Sequence, residues 1–201
     1  MEMLVVVLIV GVLASMGVSQ YYKAVEEAKA DHASSMTSMI GAAVRMYMVD
    51  HPSQAIVPGQ LTSACNSQCC YDNSLNCPGS AGSPGITTAS QADPCQIIAC
   101  GYLPYQDFNC LPYSYFISNG GTPPIGAPKP GYAYAKRQTS SSGCTDPNVT
   151  TNLATTDQPY ATWAYEYVQQ GCLCPFGDQT PMSGKFNSSV PSCAAVGAGC
   201  D

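Results

Sequence analysis

The sequence predicts an α+β fold: a long, protruding N-terminal helix whose C-terminal half packs on a small antiparallel sheet, with disulfide-rich loops around it. Three observations lead there. All sixteen prolines of the 201-residue chain lie at or after Pro52, and all twelve cysteines at or after Cys65, so the first quarter is free of helix-breakers and cross-links. That quarter carries apolar residues at helical spacing, whereas later segments alternate tyrosine with small residues in the manner of strands. Pro52 disfavours helical geometry at His51, which divides the chain into a helix, 1–51, and a head domain, 52–201.

The helix has two halves, an apolar one over 1–22 and an amphipathic one over 23–51. Residues 3–18 read MLVVVLIVGVLASMGV, with no charge, behind a single acid at Glu2. At about 1.5 Å per residue such a run reaches about 24 Å, somewhat short of a hydrocarbon layer of about 30 Å. Gly17 and Ser19 are small enough for a signal-peptide cleavage site, but Glu2 stands where a signal carries Lys or Arg. Helix-compatible sequence also continues past the run. Val25, Ala28, His32, Ser35 or Met36, Met39, Ala43 and Met46 recur at steps of three to four, with Lys23, Glu26, Glu27, Lys29, Asp31 and Arg45 between them. A helix of about fifty residues would be about 75 Å long, more than a compact head can bury, so half of it must project into a membrane or into other copies.

The head is poor in aliphatic residues: of the 150 residues from Pro52 onward, 21 are Leu, Ile, Val or Phe. Cross-links compensate for so thin a core. Cys65, Cys69, Cys70, Cys77, Cys95, Cys100, Cys110, Cys144, Cys172, Cys174, Cys193 and Cys200 allow six disulfides and imply an oxidising compartment. The pairing is not legible, except that Cys69 and Cys70, and Cys172 and Cys174, are expected to reach different partners, while Cys193 and Cys200 are placed to close a small loop. A metal site is not expected: there is no C-x-x-C, and both histidines, His32 and His51, precede every cysteine.

Along the head, 52–112 reads as loop-rich, with little regular structure. Strands are expected at 113–118, 131–136 and 161–169, the last placing Trp163, Tyr165 and Tyr167 on one face and Ala164, Glu166 and Val168 on the other. The tyrosine faces are expected to be core, with a ligand platform as the rival. Segments 119–130 and 175–201 read as surface loops, and Asn148 and Asn187 begin possible N-glycosylation triplets.

Glu2 opening an apolar run, then Val10-Gly11-Val12-Leu13-Ala14, Tyr21-Tyr22, and the ending Val44-Arg45-Met46-Tyr47-Met48-Val49-Asp50-His51-Pro52 resemble the N-terminal helix of type IV pilins and the related pseudopilins. The resemblance covers residues 1–52 and is only architectural beyond. It implies a structural subunit of an extracellular filament, assembled by bundling of N-terminal helices, whose surface serves adhesion, motility or uptake. Its partners would be identical subunits, the inner membrane before assembly, and the assembly machinery. It gives Glu2 the role of pairing with a neighbour's N-terminal amine, and places Gly11, Leu13, Ala14, Gly17 and Tyr21 among the assembly residues. It further implies that a short leader and about three mature residues, including a methylated N-terminus, precede this sequence. Ser19 stands near where many family members carry proline. The alternatives are a pseudopilin of a type II secretion system, or a secreted disulfide-rich binding module behind a signal peptide.

Catalysis and cofactors are not expected. Dinucleotide, P-loop, zincin and nucleophile-elbow patterns are missing, and Asp72-Asn73 and Asp146-Pro147-Asn148 fall short of a calcium cage. With a net charge of −6 and only seven scattered Lys and Arg, nucleic acid is not a dedicated ligand.

Overall fold

The structure, a computed structural model, describes residues 2–67, 70, 86–88, 91–121, 125, 127, 129–139, 160–177, 180, 192–193 and 200. One helix, α1 (Glu2–Asp50), runs unbroken for 49 residues, about 74 Å. It stops where Pro52 requires. His51 N–H still closes on the Tyr47 carbonyl at 2.9 Å, and Tyr47 Oη donates to Gln54 Oε1 at 2.8 Å, holding the chain as it turns away. Short elements follow: β1 (Ala55–Ile56), β2 (Gly59–Gln60), β3 (Ile86–Thr88), β4 (Gln91–Ala92) and α2 (Gln96–Ala99). The chain then forms β5 (Tyr113–Ile117), β6 (Gly131–Arg137), β7 (Ala164–Val168) and β8 (Leu173–Phe176).

The main sheet has the order β2-β5-β6-β7-β8 and is antiparallel throughout, a meander from β5 to β8 with β2 added at one edge. A smaller sheet, β1-β4-β3, pairs β1 parallel to β4. Three expected strands are present. The third begins at Ala164 rather than three residues earlier, because Tyr160–Thr162 form a 3-10 turn. β8 was not expected, since Pro175 interrupts it; proline is tolerated there because β8 lies at the sheet edge and need not donate outward. Gly171, at φ +83°, makes the tight β7–β8 turn that brings it into register. The expectation of little regular structure over 52–112 is corrected by β1 to β4 and α2. Each is two to four residues long, too short to show a period, and β1 and β2 exist only through partners distant in sequence.

The sheet face toward α1 is built in rows. Tyr115, Ala135 and Tyr165 lie side by side, as do Ile117, Ala133, Tyr167 and Leu173. Alanines on the central strand between tyrosines on its neighbours leave a trough, and α1 lies over it with Ala33, Thr37, Ile40, Gly41, Val44 and Tyr47 buried. Gly41 is needed there, because a Cβ would overlap the Tyr167 ring. The tyrosines of this face are therefore core, as expected.

The helix face is a correction. Of the stripe the sequence marked, Met36 and Ala43 are buried, but Ala28, His32, Met39 and Met46 are exposed. Its exposed members lie on the side of α1 turned away from the sheet.

Disulfides join Cys65 to Cys95, Cys70 to Cys100, Cys172 to Cys193 and Cys174 to Cys200. The first two fasten the turn Ser63–Ser67 and Cys70 to the ends of α2; the others tether Cys193 and Cys200 to β8 and the residue before it. Cys172 and Cys174 do take different partners, but Cys193 and Cys200 do not join each other. A parallel bridge between Leu173 and Ser192 lays the C-terminal segment along β8, so each cysteine meets the strand instead.

Candidate functional site

The sequence-marked assembly residues all lie on the part of α1 that stands clear of the head. Residues 3–24 are exposed wherever their side chains are described, Leu13 at 65% and Tyr21 at 67%. Gly11, Ala14 and Gly17 are exposed as well, and a Cβ at Gly11 or Gly17 would meet nothing within the chain. Nothing in the folded subunit asks for small residues there. The backbone of Glu2 begins the helix, and its side chain lies outside the described residues. Among the described residues no helix is long and apolar enough to cross a membrane. The structure thus supplies an exposed apolar rod.

The rod is aimed by a clamp where it meets the sheet. Arg137, at the end of β6, donates to both carboxylate oxygens of Glu26, Nε to Oε2 at 3.0 Å and Nη2 to Oε1 at 3.1 Å. Its Nη1 donates to the Pro112 carbonyl, and the guanidinium lies 5.5 Å from the centre of the Tyr113 ring. Lys29 Nζ adds a contact of 2.6 Å to Glu26 Oε1. The Arg137 side chain is fully buried and that of Glu26 is 13% exposed, so each charge depends on the other. Planar, two-pronged geometry fixes orientation as well as distance. Sequence reading missed this pair, which spans 111 residues and carries no local signal.

Where the C-terminal end of α1 meets the head is a shallow hollow of about 500 Å³, formed by Ala42, Met46 and Val49 of α1 with Tyr102 and Tyr167. Arg45 and Asp50 stand on its rim. Tyr102 Oη donates to Asp50 Oδ2 at 2.6 Å, and losing that bond on ionisation, with some desolvation, pushes the phenol up to about 12. The hydroxyl is thus a fixed donor at neutral pH. Tyr102 also packs edge-on against Tyr47, on which His51 stacks at 4.4 Å, so the end of α1 is held by an aromatic cluster.

The far face of the sheet holds a buried acid. Glu166 pairs across strands with Tyr134 and Cys174 and is fully buried. One of its oxygens is 3.4 Å from Lys129 N–H and the other has no hydrogen-bond partner, so burial raises its pKa to about 7. Cys174, Cys193 and Cys200 bring their sulfurs within 4.8 Å of one another, the ligand spacing of a metal site. Each is committed to a disulfide, so these sulfurs are not thiolate ligands. Cys110 is also disulfide-bonded. Cys69, Cys77, Cys144, Asn148 and Asn187 lie outside the described residues.

The molecule therefore offers an exposed apolar rod, a rigid clamp that sets its direction, and a cross-linked head. No protein-family model matches this chain, and no curated protein or solved structure is significantly similar to it.

Proposed function

We propose that the chain is the structural subunit of an extracellular filament of the type IV pilus kind, with helices bundled inside and disulfide-tied heads outside. One observation carries this reading: a long uncharged stretch of α1 stands exposed, wherever its side chains are described, on a helix whose other half is packed on a folded head. So much apolar surface calls for cover, and a monomeric soluble protein rarely leaves such a patch open. The pilin-like order of Glu2, Gly11, Ala14 and Tyr21 supports a filament over a simple anchor. The subunit waits in the inner membrane, and assembly exchanges lipid contacts for helix contacts, so packing quality decides the net gain.

Within this reading Glu2 sets axial register. A carboxylate amid apolar packing is costly unless paired, and the available cation is the N-terminal amine of the neighbour. Glu2→Ala is expected to leave the subunit in membranes while abolishing filaments recovered from sheared cells. Normal filaments from that variant would remove Glu2 from the mechanism.

A further inference from the structure

The two disulfides that tie Cys193 and Cys200 to β8 and the residue before it do not stand apart from each other. Cys172 and Cys174 are two residues apart, so both side chains leave the strand on one face, while Leu173 between them joins the core on the other. Ser192 and Cys193 lie alongside, held by the parallel bridge of Ser192 to Leu173 and by the Cys193 N–H, which donates to the Leu173 carbonyl at 3.1 Å. One step along that bridge, the residue in register with Cys193 is Cys174. Cys193 is nevertheless bonded to Cys172, and Cys174 to Cys200.

The sulfurs of Cys174, Cys193 and Cys200 all lie within 4.8 Å of one another, so each bond has a sulfur of the other beside it. Neighbouring strands lie about 4.8 Å apart, inside the Cα separation of about 4.4–6.8 Å that a disulfide spans. Cys174 and Cys193 are thus placed for a bond that they do not make. Exposure then separates the four cysteines. Cys172, Cys174 and Cys193 are buried in a small cluster with Val168, whereas Cys200 is half-buried and open to solvent. A disulfide opens when a thiolate reaches one of its sulfurs and the other sulfur leaves as a thiolate, so access selects Cys200 for attack and Cys174 as the leaving group.

We infer that Cys200 is a modification site for a small-molecule thiol, and that the sulfur cluster passes the opened bond inward to Cys172. In the first step the thiolate of the small molecule attacks Cys200 Sγ, a mixed disulfide forms there, and the bond to Cys174 breaks. In the second, the Cys174 thiolate attacks Cys193 Sγ; a Cys174–Cys193 bond forms, the Cys172–Cys193 bond breaks, and Cys172 leaves as a thiolate that takes up a proton from water. Two disulfides enter the sequence and two leave it, so neither an oxidant nor a further reductant is consumed. The proton lost by the small thiol is the one gained at Cys172. Burial favours the second step, because a thiolate in apolar surroundings is poorly stabilised and strongly nucleophilic, and its target is within 4.8 Å. The product keeps Cys193 on β8 and frees Cys200 from it. This inference stands independently of the filament reading.

The test incubates the full chain, purified in mild detergent, with reduced glutathione, quenches with acid and N-ethylmaleimide, and maps linked peptides without reduction. Chains that gain the mass of one glutathione in this cluster are expected to carry it on Cys200, to carry N-ethylmaleimide on Cys172, and to yield a Cys174–Cys193 peptide that untreated protein lacks. Glutathione on Cys172, Cys174 or Cys193 in place of Cys200, or no addition in this cluster, would overturn the site. Alkylation confined to Cys174 with Cys172–Cys193 intact would overturn the inward transfer. Cys200→Ser supplies the Cys174 thiol with no added reagent, and is expected to hold Cys172–Cys193 and Cys174–Cys193 peptides together; Cys172–Cys193 alone in that variant would contradict the transfer as well.

Discussion

Glu166 is a buried acid whose chemistry departs from that of an exposed carboxyl. Its carboxyl is buried with one oxygen unpartnered, which raises its pKa from 4.5 to about 7. The folded state therefore holds the proton more tightly than the unfolded chain. Below about pH 4.5 both states are protonated and stability is complete; as pH rises toward 7 the unfolded state ionises first and stability falls, by about 3 kcal/mol in all. Glu166→Gln keeps the shape without the charge, so its stability is expected to stay flat over that window and exceed wild type at pH 8, as urea midpoints at pH 4.5 and 8 would show. Equal pH dependence in the two proteins would place the titration elsewhere. Glycine offers a second contrast. Gly41→Ala forces a methyl into the Tyr167 ring and is expected to cost about 1–3 kcal/mol of head stability. Gly11→Ala meets nothing in the subunit, so the urea midpoint is expected not to move.

Among the elements, the join between α1 and β6 is the most consequential. Glu26→Gln leaves the Arg137 guanidinium buried without its counter-charge, and is expected to cost about 3 kcal/mol in urea denaturation of the full chain in mild detergent. Removing the bridge to β8 with Cys174→Ser and Cys200→Ser opens a loop of sequence separation 26 and is expected to cost about 3–4 kcal/mol by the same measurement. The sequence made α1 and three strands legible because each is long enough to show a period, and Pro52 marked the helix end. It left β1 to β4 and β8 hidden, since strands of two to four residues are defined by their partners and not by their own pattern. It also showed an apolar stripe on α1 without showing where the stripe points. That choice depends on Ala133 and Ala135 forming a trough and on Gly41 fitting Tyr167, contacts about a hundred residues apart that no local window contains. The exposed apolar half of α1 was therefore readable, whereas the Glu26–Arg137 clamp that directs it was not.

At the scale of the whole molecule, the proposed filament subunit divides its work among its parts. The head obtains from disulfides and packed tyrosines the rigidity that its few aliphatic residues cannot supply. The helix leaves its apolar half exposed, which on the filament reading serves contacts between copies. The most direct test of this account is to shear whole cells, pellet the released material by ultracentrifugation, and measure intact and N-terminal peptide masses before and after reduction. The account predicts a pelleted subunit that retains Glu2 and the apolar run, with a methylated residue upstream and a gain of one hydrogen per cysteine on reduction. A soluble species beginning near Gln20 would contradict it, because the apolar run would then have been only a signal.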